Sequence, residues 1–124
     1  MSKPIMDLAA AAKQAVPAIT PEEVKPLLDR DDVLIVDVRD DNEVAESGKV
    51  KGAVHVSRGM LEFRADETTP FHNEAFAKDK TIIVYCASGG RSALGGTALL
   101  DLGYGDVRKL GAFKDWVEVG GAVD

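Results

Sequence analysis

The sequence predicts an α/β domain: a mainly parallel sheet of four or five strands, flanked by helices on both faces. Two continuous β-branched apolar runs, VLIVDV (33–38) and TIIVYC (81–86), read as strands buried on both faces. Helix-compatible segments alternate with them, as in parallel α/β sheets. The chain is 124 residues long, so its folded surface should be roughly 6,400 Å² against roughly 19,000 Å² extended, which allows one proper core.

The elements follow in order. Residues 3–16 form a first helix, with Ile5, Leu8, Ala9, Ala12 and Val16 on one stripe, Ser2 as its cap and Pro17 as its stop. Its alanine-rich stripe buries little area, so packing within the chain is expected. Thr20-Pro21-Glu22-Glu23 is a second helix start, with Thr20 and Glu23 forming a capping box and the helix ending near Asp29. Shorter strands are expected at 53–56 (AVHV) and 106–110 (DVRKL), and further helices at 40–46, 59–65, 91–102 and 112–119. Gly103 suits the position just past a helix end. The polar stretch 66–80 reads as a surface excursion holding one short helix.

Charge narrows the function. Fifteen basic residues stand against 21 acidic ones, net −6, without a basic run. That field opposes nucleic acid and anionic membranes as partners. The single cysteine, Cys86, excludes an intramolecular disulfide and any multi-cysteine metal site. Apolar stretches are too short to span a bilayer. Asp7 and Lys13 interrupt any secretory-signal pattern. The expectation is a cytoplasmic protein with no metal or cofactor.

The sequence turns specific at Tyr85-Cys86-Ala87-Ser88-Gly89-Gly90-Arg91-Ser92. A buried strand ends at Cys86, a loop with two glycines follows, and a helix begins near Arg91. Ligands of open α/β sheets bind at the carboxyl ends of strands. Glycines let successive N–H groups converge on one point, and the helix N-terminus adds positive potential there. Both favour a thiolate at Cys86. Arg91 offers a planar cationic fork for an anionic substrate. Alone, Cys86 would read as a small buried hydrophobe closing a strand; the surrounding pattern favours the reactive role.

CASGGRS resembles the active-site loop of rhodanese-like sulfurtransferases, Cys-x-x-Gly-x-Arg-Ser. The rest is similar in order: ITPEEVKPLL (19–28) to the family's opening strand and first helix, LIVDVRDDNEVAESGKVKGAVHV (34–56) to its Asp-Val-Arg turn and Gly-x-x-x-Gly-Ala segment, and LGYGDVRKLGAFKDWVEVGGAV (102–123) to its closing strand and tryptophan-bearing helix. Lys49 and Ala112 depart from the common His and Gly. The resemblance implies a rhodanese-like three-layer domain over 18–124, with 1–17 as a helical extension. It also implies a thiosulfate sulfurtransferase acting through a Cys86 persulfide, with cyanide or a thiol as acceptor, an acceptor protein included, and ping-pong kinetics. Backbone N–H groups from Ala87 through Ser88, Gly89, Gly90 and Arg91 to Ser92 would hold the persulfide in a cup sized for one further sulfur. Two rivals stand beside it. One is a persulfide carrier or interaction module without turnover. The other is a phosphatase or arsenate reductase, but those use Cys-x5-Arg, whereas four residues separate Cys86 from Arg91.

Arg58 is a candidate to gather a dianionic donor; Glu62 and Arg64 read as a solvated helix face. Arg39 and Glu43, four apart, suggest a structural ion pair near Asp37. Ser92 suits both a donor to the thiolate and a helix N-cap. His55 and His72 lack metal-ligand spacing, and Trp116 reads as core. The Gly103-x-Gly105 segment lacks the third glycine of a dinucleotide site. Asp31-Asp32 and Asp40-Asp41 read as exposed turns. Gly95-Gly96 inside a helix suggests close packing on the sheet.

Overall fold

A computed structural model describes residues 2–124. Six α-helices and four strands alternate along the chain: α1 (Ile5–Ala15), α2 (Pro21–Val24), β1 (Val33–Asp37), α3 (Asp41–Ser47), β2 (Val54–His55), α4 (Leu61–Ala65), β3 (Thr81–Cys86), α5 (Gly90–Asp101), β4 (Asp106–Ala112) and α6 (Phe113–Glu118). The strands form one sheet in the order β2-β1-β3-β4. Every pairing is parallel. From β1 the chain runs outward through α3 to β2, and from β3 it runs the other way through α5 to β4. The carboxyl ends of β1 and β3 therefore flank a topological switch point, where ligands bind in open α/β sheets.

Strand alternation divides the core in two. Leu34, Val36, Ile82, Val84, Cys86 and Val107 face one side, against Val16, Leu61 and Leu99. Ile35, Ile83, Tyr85 and Leu110 face the other, against Val24, Phe113 and Trp116. A register shift between Val84 and Tyr85 pairs Tyr85 with Gly111. Gly111 sits at φ +90°, a conformation open to glycine without strain. That bulge ends the sheet with Phe113 stacked on Tyr85, ring centroids 5.8 Å apart.

Several local expectations change in the fold. Helix α1 starts at Ile5 behind Pro4 and takes no cap from Ser2. Of its stripe, Ala9, Ala12 and Val16 are buried, whereas Ile5 and Leu8 are exposed. The Thr20–Glu23 capping box forms as read, but the α-helix stops at Val24 and a 3₁₀ turn over Lys25–Leu27 takes over, because Pro26 has no N–H to continue it. Residues 66–80 hold turns and no helix. The side chains of Asp66 and Asn73 capture the N–H groups of Thr68 and Ala75, each at 2.9 Å, which competes with helical bonding. Gly95 and Gly96 face helices rather than the sheet: a Cβ on Gly95 would meet Leu61 at 2.9 Å, and one on Gly96 would meet Val16 at 2.8 Å. Gly103 ends α5 as expected, at φ +101°. Tyr104 N–H bonds to Leu99 O and Gly103 N–H to Leu100 O, a Schellman motif.

Candidate active site

The candidate site lies at the carboxyl edge of β3. The strand delivers Cys86 into the α5-side core, fully buried. Ala87 and Ser88, which follow it, are exposed. Gly89 takes φ +104° and turns the chain directly into α5. That turn brings two backbone donors onto the sulfur: Gly89 N–H at 3.0 Å and Ser92 N–H at 3.3 Å from Sγ. The thiol in turn donates to Ser92 Oγ at 3.4 Å, and the Ser92 hydroxyl donates to Gly89 O at 3.1 Å. Ser92 lies inside the first turn of α5, so the N-cap is Gly89, not Ser92. Of the N–H groups from Ala87 to Ser92 expected to converge on the sulfur, those of Gly89 and Ser92 bond to it. An open cup does not form: the sulfur has no exposed surface, and the neighbouring open space is a cleft of about 390 Å³ lined by Arg39, Ala87, Phe113, Lys114, Val117 and Glu118.

Arg91 projects from the first turn of α5 and is about one-third exposed. Its guanidinium grips Glu43 with two hydrogen bonds, 2.6 and 3.0 Å, and Asp40 stands 3.8 Å away. The bonds from Arg91 pull the Glu43 carboxyl down to about 2, against the cost of its desolvation. The same bonds, with the charges of Glu43 and Asp40, raise Arg91 above its ordinary value, against the cost of its desolvation. Glu43 was expected to pair with Arg39. It pairs instead across the switch point, and the Asp40 N–H donates to its Oε1 at 3.1 Å, fixing the carboxylate from behind. Nothing in the spacing of residues 43 and 91 signals this contact.

Arg39 is taken by Asp37. Its Nε and Nη2 reach the Asp37 carboxylate at 3.0 and 2.6 Å, and its remaining donors go to Ser47 Oγ and Gly48 O. Asp37 is fully buried and Arg39 is 3% exposed. The guanidinium lies 4.3 Å from the Phe113 ring centroid. This is a closed, internally satisfied pair.

Arg58 lies in a 3₁₀ turn after β2, with its stem against the Gly95 side of α5 and Nη1 bonded to Glu62 at 2.6 Å. His55 and His72 bond to the carbonyls of Arg39 and Phe76. Trp116 is buried in the α6-side core. Among the described residues no group of His, Cys, Asp and Glu could hold a metal, and no helix is long and apolar enough to cross a membrane.

A parallel α/β domain that ends a central strand in a cysteine, beneath a glycine turn and a helix N-terminus, defines a recognisable class of protein. Residues 20–119 match the Rhodanese-like domain family, and the chain belongs to it. A protein named Sulfurtransferase from Allochromatium vinosum is 33% identical over 95 residues, covering 76% of this chain and 80% of that protein. A tRNA uridine(34) hydroxylase from Cytophaga hutchinsonii is 34% identical over 105 residues, but this chain spans only 32% of its length. Among solved structures, a protein from Rhodopseudomonas palustris described as of unknown function and a possible tyrosine phosphatase matches over 100% of this chain and 96% of its own, with 32% identity and a TM-score of 0.89.

Proposed function

We propose that the protein is a sulfurtransferase that moves a sulfane sulfur from thiosulfate, or a related donor, to cyanide or a thiol through a persulfide on Cys86. The observation that carries this reading is the pair of N–H groups from Gly89 and Ser92 directed at Sγ. Such donors stabilise the sulfur charge that builds up during transfer. Family membership and the Allochromatium relative support the same chemistry.

In the first step the Cys86 thiolate attacks the outer sulfur of thiosulfate. The Sγ–S bond forms, the S–S bond of the donor breaks, and sulfite leaves with its electron pair. In the second, cyanide or a thiolate attacks the terminal sulfur, and the Cys86 thiolate is released. No metal or cofactor enters these steps. As Sγ ionises, the Ser92 hydroxyl can turn its proton from Gly89 O to the sulfur. Because Cys86 is buried, the donor must part the Ala87–Ser88–Gly89–Gly90 tip to reach it. Arg91, held by Glu43, faces the incoming anion, and Arg58 exchanges Glu62 for it. The setting proposed is the cytoplasm, where a lone thiol stays reduced. The partners are a small-molecule donor and a thiol acceptor, which includes an acceptor protein.

Treatment with thiosulfate should add one sulfur atom to Cys86, visible by intact mass, and cyanide should then release thiocyanate over many cycles. Cys86→Ser should do neither while melting like the parent. One stoichiometric transfer without turnover would instead favour a persulfide carrier. Hydrolysis of an aryl phosphate by the purified protein would favour the phosphatase description of the Rhodopseudomonas structure, against the four-residue spacing between Cys86 and Arg91.

A further inference from the structure

The three arginines at the carboxyl edge are each engaged by a carboxylate: Arg39 by Asp37, Arg58 by Glu62 and Arg91 by Glu43. A cation of a different origin reaches the loop. Lys13, exposed in the last turn of α1, brings its Cε to 4.0 Å from the point a Cβ would occupy on Gly89, the residue whose N–H meets Sγ. That same point is 4.0 Å from the Cα of Gly111 on β4. The Lys13 carbonyl accepts a hydrogen bond from the ammonium of Lys109, so a second positive charge lies on this seam. Among the described residues, no ion pair forms at either ammonium.

The position is held by packing rather than by charge. Ala9, Ala12 and Val16 are buried, and Val16 seats against Gly96 of α5. Helix α1 is thereby fixed to the helix that carries Arg91 and Ser92. Lys114 also borders the cleft beside Ala87, but Glu118 shares that cleft and offsets it. A chain of net charge −6 repels anions at long range, so an unneutralised ammonium at the loop has a specific use. We infer that Lys13 is a binding residue for the anionic sulfur donor at the Cys86 loop, supplied by a helix outside the segment that matches the family. The inference deepens the sulfurtransferase reading and rests on it. The class of ligand is a small anion such as the thiosulfate dianion, in preference to a neutral sulfane compound.

The test is a calorimetric titration of thiosulfate into the full-length Cys86→Ser variant, which binds without reacting. Adding Lys13→Met, which keeps the helix propensity and the apolar stem, should weaken the Kd about fivefold, the scale of one partly exposed charge contact. Lys13→Arg should restore it. Lys3→Met, an equal change of net charge ahead of α1, should leave it unaltered. A role confined to the α1 dipole would lower the melting temperature without moving the Kd. An unchanged Kd in Lys13→Met overturns the inference, as does a Cys86→Ser parent that binds no thiosulfate. Failure of the sulfurtransferase reading shows separately, as wild-type protein that gains no sulfur on Cys86 while the Kd comparison still holds.

Discussion

Two turns stand side by side at the carboxyl edge of the sheet and are built on opposite plans. The turn after β1 is charged and closed. Asp37 and Arg39 are buried, paired at 2.6 Å and roofed by Phe113. The turn after β3 is short, uncharged until Arg91, and leaves its sulfur held only by two backbone N–H groups and a hydroxyl. The first spends its ionic groups on the fold. The second keeps its polar contacts on one atom, which a reaction can exchange. They are joined by Glu43 and Arg91, one from each side of the switch point and both partly exposed. The difference shows how the Cys86 loop, with little internal bonding, keeps its geometry: its neighbour is over-determined and lends it a fixed carboxylate.

The contrast breaks most sharply at Arg39. Arg39→Ala leaves the Asp37 carboxylate buried without its partner, so stability should fall by about 3–5 kcal/mol. Denaturant unfolding measures it. A loss near that of a surface pair would mean that the first turn is no more structural than the second. Cys86→Ser, by contrast, should cost little stability.

Glu43→Gln sharpens the link between the two turns. Thiosulfate turnover should fall several-fold, because Arg91 loses its anchor, while stability at neutral pH drops by at most ~1 kcal/mol for a partly exposed pair. The pH dependence carries the signature. The folded Glu43 carboxyl sits near 2, below its unfolded value of 4.5. Its stabilisation is therefore complete above that unfolded value and lost as pH falls toward 2. The gap in melting temperature between parent and Glu43→Gln should close over that interval. A gap that stays constant would contradict the pairing. The smallest effect is expected at Arg58. Arg58→Ala should raise the thiosulfate KM about two- to threefold with kcat nearly unchanged, because its guanidinium must first leave Glu62. An unaltered KM would remove Arg58 from donor binding.

The sequence by itself determined the class of fold and the glycine turn beside Cys86, because both are written in local pattern. The runs at 33–38 and 81–86 are apolar at every buried position except Asp37, and such runs bury both faces wherever they sit. The glycines after Cys86 likewise make the tight turn that aims Gly89 and Ser92 at the sulfur. Pairings at long range were decided only by the tertiary structure. Glu43 is four residues from Arg39 and 48 from Arg91, yet it chose the distant guanidinium, since Asp37 had already satisfied the near one inside the core. The two glycines of α5 suggest close packing on the sheet, yet Leu61 and Val16 are what press on them. Lys13 enters the sequence reading only as a break in a secretory-signal pattern, and it reaches the loop only because α1 docks on α5. Local physics acts through chain neighbours and is legible in order. Charge and packing act through space, and space is assigned only when the whole chain has folded.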